Sequence, residues 1–190
     1  MPDAPKLRSL SSGAGTVVTR LREPVAQWLE VGQGDYAVSR SPDMTMTATL
    51  GSCVGVILQD VSGRVGGLTH IFQCVDPGPA GGGAVVAEIE KLVNALMHEG
   101  VKMSVIKARV VGGARTLGRG RDVGGDIARV CLAFLTAEGI QLAASDLGGT
   151  RARRITYAPA SGILTIAYPG DAVSTSAPPK SRLHGDPELF

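Results

Sequence analysis

Apolar and polar positions along this chain fall into short strand-like runs, interrupted twice by stretches with helical spacing. The strand-like runs occupy 35–39, 44–50, 54–58, 64–69, 104–111, 141–145, 154–158 and 163–168. The last two flank Pro159-Ala160-Ser161-Gly162, a hairpin-turn sequence. Helical spacing links Val85, Ile89, Leu92, Val93 and Leu96, with Gly100 where a C-terminal cap belongs. A second stripe joins Ile127, Val130, Cys131, Phe134 and Leu135, and Gly139 closes it. Residues 24–30 read as a short helical turn, with Trp28 packing on the body. Most strands follow one another directly or across short turns. The pattern predicts an α+β fold, a layered domain of packed mixed or antiparallel β-sheets flanked by two main helices, rather than a doubly wound sheet.

A chain of 190 residues has room for one domain with a proper core. Residues 1–30 are expected to form a mobile N-terminal extension, 31–168 the ordered domain, and 169–190 a flexible C-terminal tail. The 44% hydrophobic and 19% charged composition reads as soluble and globular, and a net charge of +2 is too small to argue for nucleic acid. Glycine is abundant, at 26 residues, and marks tight turns and close backbone approaches. No Gly-Lys-Ser/Thr follows any glycine cluster, so none is read as a phosphate loop. Three cysteines without a Cys-x-x-Cys pair argue against a disulfide framework and a structural zinc, and fit a reducing compartment. The first residues lack the apolar core of a signal peptide, and no apolar run is long enough to span a bilayer. The expectation is a cytoplasmic protein without membrane insertion.

Candidate chemistry sits at two positions. Cys53 closes the segment Thr47-Ala48-Thr49-Leu50-Gly51-Ser52-Cys53, and His70 ends an apolar run that returns from a glycine-marked turn. A hairpin of 54–58 with 64–70 carries the imidazole back toward the thiol, and an imidazole beside a thiol supplies the base that makes a thiolate. Where the two meet, the chain is a hydrolase of an amide or ester. Gly51-Ser52 supplies a bend that sets the sulfur at a strand start, where the backbone N–H groups of Ser52 and Cys53 point at a developing oxyanion. The competing reading makes Cys53 a small buried hydrophobe and His70 a hydrogen-bonded edge histidine. Cys131 belongs to the second helical stripe and reads as core, His98 as a solvated residue at a helix end, and His184 as part of the tail. Cys53, His70 and Cys74 taken as metal ligands have nothing else in support, so neither a metal nor a cofactor is expected.

The segment from Thr47 to Cys53, the glycines before His70, Gly112-Gly113-Ala114, and Asp146-Leu147-Gly148-Gly149-Thr150-Arg151-Ala152-Arg153 together resemble the chemoreceptor glutamine deamidase family, CheD. Val31-Gly32-Gln33-Gly34-Asp35-Tyr36-Ala37-Val38 is similar to that family's opening strand, and the resemblance runs from about 31 to 168. It implies cysteine hydrolases with a Cys, His and Thr set. Cys53 then becomes the nucleophile, His70 the base and Thr47 the orienting threonine, with Thr49 the alternative, while Gly51 and Ser52 give backbone support to the oxyanion. The implied fold is layered β-sheets flanked by helices. The implied reaction converts glutamine side chains of methyl-accepting chemoreceptors to glutamate and ammonia, and glutamate methyl esters at the same positions react by the same route. A CheC-type phosphatase is a further implied partner. Ile71-Phe72-Gln73-Cys74 after His70 and Asp126-Ile127 near the second helix depart from the family's pattern, and both bear on the substrate groove and partner surface.

Arg115, Arg119 and Arg121 lie in one loop and Arg151, Arg153 and Arg154 in another. They read either as a solvated basic face or as a docking surface for acidic receptor helices. No aromatics interleave with them, which argues against nucleic acid. Two other functions stay open at this level: a non-catalytic adaptor that binds a chemoreceptor or a CheC-type phosphatase, and a small-molecule amidase or esterase with an enclosed pocket.

Overall fold

The structure, a computed structural model, describes residues 26–61, 64–73, 75–76, 81–116 and 120–170. The expectations for 1–25 and 171–190, with His184, and those for Cys74 and Arg119, lie outside the described residues. Strands β2 (Tyr36–Ser39), β3 (Met44–Leu50), β4 (Val54–Asp60), β5 (Gly66–Ile71), β6 (Ile106–Gly112), β7 (Gln141–Leu147), β8 (Arg153–Ala158) and β9 (Ile163–Ala167) fall on the eight predicted runs, displaced only at their ends. Helices α1 (Gly83–His98) and α2 (Val123–Ala137) carry the two predicted stripes. A 3₁₀ turn at Met103–Val105 takes over the start of the run that becomes β6.

One element corrects the sequence reading. The helical turn expected over 24–30 is instead strand β1 (Gln27–Glu30), paired in parallel with β3, and Trp28 is 51% exposed rather than packed on the body. Extended structure therefore starts ahead of the expected boundary at 31. All four β1 residues are exposed, so no apolar alternation marks the strand in the sequence. Its backbone is recruited by β3, from which it takes its register.

The strands form two sheets, ordered β2-β5-β4-β6-β7 and β1-β3-β8-β9. In the first, only the β6/β7 pair is parallel, joined through α2, as a parallel pair requires a crossover. In the second, β3/β8 and β8/β9 are antiparallel. Both helices pack on one face of the five-stranded sheet, and the four-stranded sheet covers the other. Val54, Val56 and Leu58 of β4 meet Ile89, Leu92 and Leu96 of α1 in one core. Ile57 of β4 and Leu68 of β5 meet Met46, Leu50, Ile155 and Tyr157 in the other. Strand β4 is covered on both sides, which is why its sequence is a continuous apolar run rather than an alternating one.

Both helices end in the same way. Gly100 and Gly139 have φ of +85° and +66°. After α1, Gly100 N–H donates to Met97 O at 2.9 Å and Val101 N–H to Leu96 O at 3.1 Å. After α2, Gly139 N–H donates to Thr136 O at 3.2 Å and Ile140 N–H to Leu135 O at 2.8 Å. This is the Schellman arrangement, in which a left-handed glycine satisfies the last carbonyls and turns the next apolar residue into the core.

Candidate active site

Strand β3 ends in one sheet and β4 begins in the other, so the three residues Gly51-Ser52-Cys53 carry the chain between layers. The exit of β6 pins this step: Ala114 N–H donates to Gly51 O and Gly113 N–H to Cys53 O, both at 2.8 Å. Gly112 has φ of +114°, and a Cβ there would collide with the Cys53 carbonyl oxygen. The Gly112-Gly113-Ala114 motif is thus the seat of the Cys53 backbone. Among the described residues, no backbone carbonyl accepts the N–H of Ser52 or Cys53.

Cys53 is 8% exposed and lies at the margin of the inter-sheet core. Burial pushes its thiol above the ordinary value, and its own backbone N–H offsets this in part. A neutral thiol at rest needs a base to become reactive. His70 lies opposite Gly55 in the β4/β5 ladder, two residues along from Cys53. Side chains alternate along a strand, so Cys53 and Gly55 share the face toward the second sheet, as do Leu68 and His70. On one face of an antiparallel pair, such diagonal neighbours sit roughly 7–8 Å apart, within reach of long side chains. Gly55 puts no side chain between them.

His70 is 5% exposed, and its ring Nδ1 lies 3.0 Å from Val31 O. A carbonyl oxygen only accepts, so Nδ1 carries the proton and Nε2 keeps its lone pair. That Nε2 is buried and, among the described residues, has no hydrogen-bond partner, the Cys53 thiol included. The loop before β2 fastens the His70 backbone as well. Gly34 N–H donates to His70 O at 2.8 Å, and His70 N–H to Asp35 O at 3.0 Å.

Thr47 is 5% exposed and stands across from Glu30 on one side and Thr156 on the other. Its neighbours Met46 and Ala48 face the inter-sheet core, so its hydroxyl projects from the opposite face of the sheet. Its link to the ring runs through backbone: Val31 N–H donates to Thr47 O at 2.8 Å, and Val31 O accepts from His70. Thr49 is exposed and sits in register with Arg154.

Gln33 was not singled out by the sequence. Its Nε2 lies 3.6 Å from Cys53 Sγ. An exposed glutamine between two glycines carries no periodicity, and only the turn residues Gly32 and Gly34 mark its loop. The arginines divide. Arg115 and Arg151 are exposed, and Arg115 N–H donates to Gly149 O at 2.8 Å, which ties their two loops together beside Gly51. Arg153 corrects the surface reading: it is 4% exposed, bonded to Asp146 Oδ1 at 2.9 Å and to the carbonyls of Gly148 and Arg151. Arg121 is paired with Asp126 at 2.7 Å. Cys131 is fully buried in the helix-side core, and burial pushes its thiol up to about 12. A hollow of about 490 Å³ lined by Gln59, Arg64, Arg109 and Ser161 lies at the other end of β4, with no cysteine or histidine in its wall.

The chain is 34% identical over 153 residues to the probable chemoreceptor glutamine deamidase CheD of Jannaschia sp. (strain CCS1), spanning 80% of this chain and 87% of that protein. The chain belongs to the CheD family. The CheD proteins of Agrobacterium fabrum, 35% identical across 75% of this chain and 80% of theirs, and of Caulobacter sp. (strain K31), 37% across 70% and 73%, bear the same probable designation. Residues 84–168 match the family model described as CheD chemotactic sensory transduction. A stretch as long as the one shared with the Jannaschia CheD necessarily includes both Cys53 and His70. Two solved structures, the hypothetical protein YfiH of Bacillus licheniformis and NMB0706 of Neisseria meningitidis, are each 14% identical over 67% of this chain and cover 61% and 64% of theirs, with TM-scores of 0.41 and 0.44. Among the described residues of this CheD chain, no three His, Cys, Asp or Glu side chains converge as metal ligands, and no helix is long and apolar enough to cross a membrane.

Proposed function

We propose that this CheD-family protein hydrolyses glutamine side-chain amides on chemoreceptors, with Cys53 as nucleophile, His70 as base and Thr47 as a positioning residue. The observation that carries the reading is the buried Nε2 of His70, without a partner among the described residues, on the face it shares with Cys53. A buried lone pair left without a donor costs stability, and a thiol proton is the donor the site offers it. The Thr47 carbonyl polarises the Val31 peptide, which strengthens Val31 O as acceptor for the imidazolium that forms.

The reaction follows from these groups. Nε2 takes the Cys53 proton, the sulfur forms a bond to the amide carbon, and the carbonyl π pair moves onto oxygen. The N–H groups of Ser52 and Cys53 hold that oxyanion. On collapse the carbon–nitrogen bond breaks, and the leaving nitrogen takes the proton from Nε2 and departs as ammonia. Water then gives a proton to Nε2 while its oxygen attacks the thioester. The sulfur leaves, recovers the proton, and glutamate remains on the receptor. A glutamate methyl ester at the same position reacts alike, with methanol as the leaving group.

The exposed Arg115 and Arg151, on two loops joined by the Arg115–Gly149 backbone bond, suit acidic receptor helices, which the reaction itself makes more acidic. The resemblance in sequence extends the reading to the cytoplasm as the compartment and to a CheC-type phosphatase as a further partner. The test is ammonia release from a glutamine-bearing receptor fragment. Wild-type protein releases ammonia and Cys53→Ala releases none while still binding. Binding by both with no ammonia from either means an adaptor instead.

A further inference from the structure

Gln33 hangs from the same loop that clamps His70. That loop is fastened at three points, from Val31 O to the ring, from Gly34 N–H to His70 O, and from Asp35 O to His70 N–H. The carboxamide it carries is therefore aimed from a backbone already fixed relative to the base. Nε2 of Gln33 stands 3.6 Å from Cys53 Sγ, on a residue that is itself exposed at the mouth of the site. A neutral thiol is a weak acceptor and gives an amide donor little. The oxygen of a tetrahedral adduct, by contrast, sits only one atom removed from that sulfur and bears a full negative charge. A donor already within 3.6 Å of the sulfur is placed to meet it.

We propose that Gln33 is a further catalytic residue, donating from Nε2 to the oxyanion of the tetrahedral intermediate and, once His70 has taken the thiol proton, to the Cys53 thiolate. This rests on the reading of Cys53 as nucleophile. The side chain completes a donor set whose other members are the N–H groups of Ser52 and Cys53. It is also a glutamine amide beside a sulfur that hydrolyses glutamine amides. It escapes attack because its nitrogen, rather than its carbonyl carbon, faces the nucleophile.

The test uses the full chain, with Gln33→Leu and Gln33→Glu as variants and two readouts: kinetics on a glutamine-bearing receptor fragment, and the pH profile of Cys53 alkylation by iodoacetamide. Gln33 is exposed, so both variants fold, and thermal melting verifies it. Gln33→Leu is expected to lower kcat about a hundredfold with KM little changed, the cost of one oxyanion donor. Gln33→Glu is expected to lose at least as much, because a carboxylate repels the oxyanion. The alkylation profile of Gln33→Leu shifts to higher pH. An unchanged kcat in Gln33→Leu overturns the proposal. So does conversion of the Gln33 amide to the acid in wild-type protein, seen by peptide mass spectrometry, which makes the residue a substrate. Wild-type protein that releases no ammonia defeats the deamidase reading instead. The alkylation profile still judges Gln33 in that case, and an unshifted one overturns its contact with the sulfur.

Discussion

Because Val31 O can only accept, the ring proton of His70 is confined to Nδ1 and the reactive lone pair to Nε2, which lies buried on the Cys53 side of the sheet. His70→Gln removes that lone pair, and ammonia release should fall by at least about a thousandfold, within the range for a general base. Melting should move little, since a single net hydrogen bond is worth about 1 kcal/mol. Cys53 and His70 stood out as candidates in the sequence because one closes a run at a Gly-Ser bend and the other ends a run returning from a glycine-marked turn. Gln33 and Arg153 were not, since their roles depend on partners brought up by the fold. Arg153 holds the Asp146 carboxyl below the ordinary carboxylate range, with the Tyr168 hydroxyl assisting. A depressed carboxyl contributes stability above its unfolded value of about 3.9 and loses it as pH falls through the lower folded value. Arg153→Ala should therefore cost about 2 kcal/mol at neutral pH, measured by denaturant unfolding. The gap to wild type should narrow below about pH 4, where protonation takes the Asp146 contribution from the wild type.

At the scale of elements, the helices were the most legible parts, since stripe and terminal glycine agree. Gly100 and Gly139 both hold positive φ at the C′ position. Gly100→Ala and Gly139→Ala should each destabilise by about 1 kcal/mol. A Cβ at either glycine meets nothing within 4 Å, so the two changes share no contact and the double variant should show the sum. Ammonia release should be untouched in all three. Strand β1 was illegible for the opposite reason: four exposed residues have no pattern, and only the partner strand β3 makes them a strand. That strand matters to the site, because it delivers Val31 to the ring and sets it against Thr47. The family resemblance supplied Thr47, and the strand pairing supplies its route to the imidazole, by carbonyl rather than hydroxyl.

At the scale of the molecule, the α+β layering followed from consecutive strands and two helical excursions, but the division of strands between sheets did not. Alternation reports which side of a strand is apolar and never which sheet it joins. The consequential event is the step from β3 to β4, where the chain changes layer and leaves Cys53 between the two sheets with His70 on the neighbouring strand. The most direct test of this account is acid-quenched mass spectrometry of the protein mixed with a glutamine-bearing receptor peptide. The account predicts a hydroxylamine-sensitive acyl adduct on the Cys53 peptide, formed with ammonia release and absent in His70→Gln. Ammonia release with no adduct on Cys53, or an adduct carried by Ser52, would contradict it.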